Sequence, residues 1–250
     1  MIRGVILLLS LLESTMLAFI QKIPILTTVL SGIFFYILYQ HWLFKQKPAY
    51  LFWWMTGVLC YGLGTLTEAI VGVLGWSEPV FKSWYILGAL LGGFPLAQGS
   101  VYLIFKKRTA DWMMYAVVAV IIIASVFVIL SPVNYSLVES GRLAGKVLAW
   151  SEVRLVTPFV NIYAFIFLVG GAVYSAYRYS KDSMFKARFV GNIFIAFGGL
   201  LPGIGGSFTK FGYTEVLYVT ELLGIILIYM GYHTIRKDKT ISIYQIQTVS

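Results

Sequence analysis

Residues 112–130 read WMMYAVVAVIIIASVFVIL, nineteen consecutive residues without a charge. A helix rises 1.5 Å per residue, so such a run covers most of the roughly 30 Å of hydrocarbon in a bilayer. Asp111 stands at its start, where negative charge suits the helix dipole, and Ser131-Pro132 ends it. Outward from this run the same pattern recurs. Apolar segments occupy about 4–20, 24–44, 50–75, 79–105, 158–177, 185–208 and 213–235. Only 12% of the chain is charged, about half the soluble average of roughly 25%. The expected fold is all-α: a polytopic integral membrane protein, with a seven-helix bundle and an extra N-terminal membrane helix. It forms a single transmembrane domain over 1–239, with an outer loop at 131–157 and a short cytoplasmic tail at 240–250.

Local chemistry sets several boundaries. Pro79 and Pro158 suit the first turn of a helix, where a missing N–H is harmless, and Thr157 is placed to cap the helix that Pro158 begins. The segment 4–20 has the basic start and apolar middle of a signal peptide but lacks the small-residue cleavage pattern. It is expected to be a membrane helix, with an interfacial helix as the alternative.

Thirteen of the nineteen basic residues, from Arg3, Lys45 and Lys47 through Lys106, Lys107 and Arg108 to Arg236, Lys237 and Lys239, fall on one side of this layout. Basic residues collect in cytoplasmic loops, so that side is expected to be cytoplasmic, with the C-terminus inside and the protein in the cell membrane. The same distribution explains the net charge of +9 without a nucleic-acid partner. Cys60 is the only cysteine and lies in an apolar run, which excludes a disulfide framework and a Cys-based metal site. Tryptophan and tyrosine near segment ends, Trp84 and Trp112 among them, read as interfacial anchors.

The acids divide against the bases. Glu13, Glu68 and Glu221 fall inside apolar segments, and all three land in the outer half of the layout. Glu68 shares a helical face with Tyr61, Gly64, Thr65 and Gly72, a small and polar stripe that should face the bundle. Tyr218 and Gly224 share the face of Glu221. A carboxylate turned to lipid costs several kcal/mol, so each acid must be paired, protonated or wetted. Glu152 and Arg154, at the outer mouth, supply a further acid and a counter-charge, and Lys210 is a second base there.

The stretch Gly198-Gly199-Leu200-Leu201-Pro202-Gly203-Ile204-Gly205-Gly206 lies at similar depth. Pro202 breaks one backbone hydrogen bond, so the segment is either a wall of a ligand site or a kinked helix in close packing, with Gly199 and Gly203 as a small-residue pair. Gly88 and Gly92 form another such pair. Within the outer loop, Leu137 to Trp150 is amphipathic and is expected to form a short helix over the bundle mouth. Asn134-Tyr135-Ser136 matches a glycosylation acceptor, a pattern common by chance.

No Ser/His/Asp or Cys/His arrangement, HExxH motif or carboxylate-rich metal cluster occurs, so an enzyme is the less expected class and no catalytic residue is assigned. His41 and His233 lie near cytoplasmic helix ends, where two helices could present them to one haem; holding helix C-termini is the plainer role. No other cofactor is indicated. Seven helices with the C-terminus inside resembles the topology of rhodopsins and seven-helix receptors, although the last helix has no lysine to carry retinal.

The functional expectation is a sensor-like protein that binds a small molecule or lipid in the outer half of the bundle. Glu68, Glu221, Tyr218, Glu13, Tyr61 and Pro202 would line the site, with Glu152 and Arg154 at its mouth. The alternatives are a proton-coupled carrier or lipid transporter, and an accessory subunit of a membrane complex. Beyond the bilayer, the partners considered are that ligand, another membrane protein or a second copy of the chain.

Overall fold

A computed structural model describes residues 20–139 and 142–238. The helix expected over 4–20, Glu13 and the tail at 240–250 lie outside the described residues, apart from Ile20. Among the described residues, seven helices are long and apolar enough to cross a membrane: α1 (Ile23–Phe44), α2 (Ala49–Leu74), α3 (Glu78–Ile104), α4 (Lys107–Leu130), α5 (Val153–Tyr179), α6 (Lys186–Phe208) and α7 (Thr214–Lys237). This is an all-α, multi-pass membrane fold, and its surroundings are a lipid bilayer.

Six of the helices form a ring in the order α1, α2, α3, α5, α6, α7, with α7 returning to α1. α4 stands outside the ring against α3 and α5, and it is the least buried span. That explains its uniform apolarity: a helix touching lipid on most of its circumference has no polar face to hide. α1, by contrast, turns Thr27, Ser31, Phe34 and Leu38 inward and leaves Ile25, Val29 and Ile33 to lipid. In hydrocarbon, burying apolar side chains between helices gains little over lipid contact, so close packing and interhelical hydrogen bonds must hold the ring together.

Packing is tightest between α6 and α7. Gly191, Gly198 and Gly205 recur every seven residues along α6 and meet Gly231, Gly224 and Leu217 of the antiparallel α7. The seam is therefore not the expected Gly199/Gly203 pair. Gly199 packs on Leu168 of α5, and Gly203 faces open space. α6 runs unbroken through Pro202, whose ring packs on Gly224.

α3 and α5 depart from regular helix. Tyr85–Leu90 and Phe165–Gly170 are π-helical, and α3 breaks at 91–93 before restarting at Phe94. Three glycines (Gly88, Gly92, Gly93) and Pro95 account for the break. Gly64 of α2 packs on Gly88, where a Cβ would lie 3.3 Å from the Gly88 Cα.

Several boundaries differ from those read in the sequence. α4 begins at Lys107, not 112, because Lys107 pairs with Asp111 at 2.7 Å and Asp111 also accepts from Tyr102 at 2.6 Å. α5 begins at Val153, so Pro158 lies inside the helix and Thr157 is not its cap; the Thr157 and Tyr85 hydroxyls instead share a hydrogen bond of 2.9 Å. Hydropathy marks where hydrocarbon starts, and a helix begins earlier wherever polar side chains can close its first turn.

Among its described residues the 131–157 loop is not one short helix. It holds two 3₁₀ turns, Tyr135–Leu137 and Gly145–Val147, and its ends are drawn together by a bridge between Val133 and Leu148. Leu143, Val147 and Leu148 are buried with Phe81, Trp84 and Val160, so the loop is strapped down onto α3, α4 and α5. Charged side chains link its described residues. Lys146 and Arg142 bond Glu139 at 2.6 and 3.4 Å, and Arg142 reaches Glu215 of α7 at 3.4 Å.

These cations hold the Glu139 carboxyl below its ordinary value. A depressed carboxylate stabilises the fold above its unfolded pKa and loses that effect as pH falls through the folded one. A spin label at Ser136 should therefore stay immobile down through the ordinary glutamate range and loosen only in stronger acid. Lys146→Ala should move that onset upward, and an onset unmoved by the substitution would remove Glu139 as the anchor.

Candidate functional site

Glu68 lies six residues before the end of α2 and Glu221 seven after the start of α7. At 1.5 Å per residue both sit about 10 Å below the end of the bundle that carries the 131–157 loop. The two helices bring their carboxyl groups within hydrogen-bonding reach of each other. Glu68 is 2% exposed, and Oε2 of each carboxyl is buried without a hydrogen-bond partner.

Trp84 completes the cluster, donating from Nε1 to Glu68 Oε1 at 2.9 Å. At 9% exposure it is not an interfacial anchor. One signal for this role is legible in the sequence. Glu68 and Trp84 lie eight residues either side of Trp76, and an antiparallel helical hairpin turning there places them level. Trp84 is fixed by its position at the last α-helical residue before the π-turn, and by packing against Phe81 and Tyr85.

Tyr61 lies two turns below Glu68 on α2 and donates its hydroxyl to the backbone carbonyl of Glu221 at 2.8 Å. A helical carbonyl has a second lone pair free for such a bond. One net hydrogen bond is worth about 0.5–1.5 kcal/mol, so Tyr61→Phe should lower stability by that amount. Thermal unfolding in detergent checks this, and a loss above about 3 kcal/mol would mean that the ring, not the hydroxyl, was disturbed.

Tyr218, 5% exposed, lies one turn from Glu221 toward the loop and is close enough to both carboxyls, to Glu215 and to Arg142 for their charges to act on it. Glu215, Tyr218 and Glu221 thus follow one another down α7 from the loop to the pair. On α2, Thr65 shares a hydrogen bond of 3.0 Å with Thr28 of α1.

The other candidates fall elsewhere. Pro202 packs on Gly224, one turn below Glu221. Arg154 packs its stem near Gly145, Glu152 lines a groove between α4 and α5, and neither is a hydrogen-bond partner of the pair. Among the described residues, the base tied to α7 on the loop side is Arg142. Glu13 and the Lys210 side chain are outside what is described. His41 Nδ1 meets the Tyr232 hydroxyl at 2.7 Å, while His233 stacks on Tyr229 of its own helix. Among the described residues no group of three or more His, Cys, Asp or Glu is placed to hold a metal.

The chemistry open to the pair follows from its geometry. Ionised carboxylates only accept hydrogen bonds, so two carboxyls that bond to each other need one proton between them. Two like charges in contact away from water cannot both persist, and such a pair loses its protons in two steps that belong to the pair. With Trp84 and Glu221 both directed at Glu68, the arrangement is suited to hold one proton.

No protein-family model, no curated protein and no solved structure matches the chain.

Proposed function

We propose that the protein is a membrane sensor whose bound species is a proton, held between Glu68 and Glu221 in the outer half of the bundle. The observation that carries this reading is the pair itself: the buried Glu68 carboxyl of α2 and the half-buried Glu221 carboxyl of α7, in reach of each other, with one indole N–H donor. Glu68 is buried and bonded to the Trp84 indole, which favours a proton over a bulkier ligand. Because α2 and α7 meet through side chains such as Tyr61 and the pair, losing the proton drives the two helices apart. A change in helix spacing is the output. The loop face is assigned to the outside of the cell membrane and the C-terminus to the cytoplasm, on the distribution of lysine and arginine.

Infrared spectra of the protein in proteoliposomes test this. A carbonyl stretch from a protonated carboxyl should be present at neutral pH, disappear on raising the pH, and be absent in the Glu68→Gln/Glu221→Gln double variant. A band that survives the double substitution would end the proposal.

A proton-coupled carrier would use the same pair. Solute uptake driven by a pH gradient would favour it; of the acids on the opposite side of the layout, Asp111 pairs with Lys107 at 2.7 Å and Asp238 with Arg188 at 2.8 Å. An accessory subunit would co-purify with a stoichiometric partner.

A further inference from the structure

A separate feature lies on the lipid-facing side of the bundle, where α4 stands outside the ring. A groove of about 510 Å³ opens between α4 and α5 beneath the loop. That volume falls within the roughly 300–1,000 Å³ of sites that hold small molecules. Val120, Ile123, Ala124 and Phe127 form one wall, Val156 and its neighbours on α5 the other, and Trp150 and Glu152 stand at the loop end. The floor is closed, since Ala124 and Val153 are buried, while Ile123 and Phe127 are open to hydrocarbon. Phe127 packs edge-on against Trp150 with ring centroids 6.0 Å apart, which fixes the upper rim.

The lining carries one charge, the Glu152 carboxylate, which has no ion pair among the described residues. Its nearest basic neighbour in sequence, Arg154, packs its stem near Gly145 instead. Lys82, which reaches the end of α4 by donating to the Ile129 carbonyl, is matched by Glu78 at 2.7 Å. An apolar slot along a membrane-exposed helix, ending at a tryptophan and an unmatched carboxylate, is complementary to an acyl chain with a cationic head. The level agrees: the groove runs from the middle of α4 to the loop, where lipid headgroups lie.

We infer that the α4–α5 groove binds a membrane lipid with a primary-ammonium headgroup, its chain along Val120–Phe127 and its ammonium on Glu152. This site is independent of the carboxyl pair.

The test is lipid retention. The protein is reconstituted in an equimolar mixture of phosphatidylethanolamine and phosphatidylglycerol, extracted gently, and the lipid retained is weighed by native mass spectrometry. Wild type should retain phosphatidylethanolamine several-fold over its share of the mixture. Glu152→Gln should keep the chain but lose the preference, and Val156→Phe, which fills the slot, should lose retained lipid altogether. Glu68→Gln should behave as wild type here, which separates failure of the lipid site from failure of the proton site. Equal retention of both lipids in wild type, or a preference that survives Glu152→Gln, would show an unselective acyl chain only and overturn the assignment. So would a dimer cross-linked through a cysteine at Ile123, because a second copy would then occupy the groove.

Discussion

Glu68→Ala is expected to be the most damaging substitution at the carboxyl pair, lowering stability by on the order of 3–5 kcal/mol. It strips the Trp84 N–H of its acceptor, leaves the half-buried Glu221 carboxyl without its partner, and opens a void between α2, α3 and α7. Glu68→Gln is expected to cost far less, because an amide can accept from Trp84 and bond to Glu221 in the same place. The contrast separates two roles. If the pair were only structural glue, the glutamine variant would behave as wild type in every assay. As a proton site it should fold normally yet lose the pH response of helix spacing, read by a pair of spin labels on the loop-side ends of α2 and α7. The carboxyls act as a unit, so the two single glutamine variants and the double variant should all lose that response to the same degree. Additive partial losses would argue against a shared proton.

The second large effect is expected in the glycine-rich part of α6. A Cβ on Gly198 would lie 2.7 Å from the Gly224 carbonyl oxygen and 2.8 Å from the Ile228 nitrogen, both backbone atoms that cannot swing aside. Gly198→Leu should therefore force α6 from α7 and cost about 3 kcal/mol or more. Gly203, five residues on in the same helix, has nothing within 4 Å of its Cβ position. Gly203→Leu should change stability by no more than about 0.5 kcal/mol. Thermal unfolding in one detergent measures both. Equal losses at the two positions would mean that backbone freedom near Pro202, not close packing, is what the glycines supply.

Much of the fold was legible because a bilayer constrains it so severely. Seven apolar runs, each long enough to cross hydrocarbon, became seven helices, and of the stripe read on α2, Tyr61, Gly64, Thr65 and Glu68 are buried as its spacing requires while Gly72, near the helix end, is exposed. Helix starts were read less well. Lys107 and Val153 lie outside the apolar runs and are helical because side chains and tertiary contacts close their first turns. The loop was misread for a related reason. Leu143, Val147 and Leu148 have amphipathic spacing, but the bridge at Val133–Leu148 draws the ends of the loop together and leaves it only short turns. Trp84 was read as an anchor because position near a segment end does not reveal which way a side chain points.

What the sequence determined by itself is the membrane class, the seven spans among the described residues, and the presence of acids that lipid cannot tolerate unpaired. Those follow from free energies local to each helix: hydrocarbon forbids an unsatisfied backbone and penalises every lone carboxylate. Only the tertiary structure decided that Glu68 meets Glu221, that Trp84 serves the pair, and that Glu152 stands apart on a lipid-facing groove. Tyr61 and Glu221 are 160 residues apart in the chain, and their contact depends on the order in which helices close the ring. Periodicity shows that a side chain faces inward. Which partner it meets there is set by packing across the bundle, which no single helix encodes.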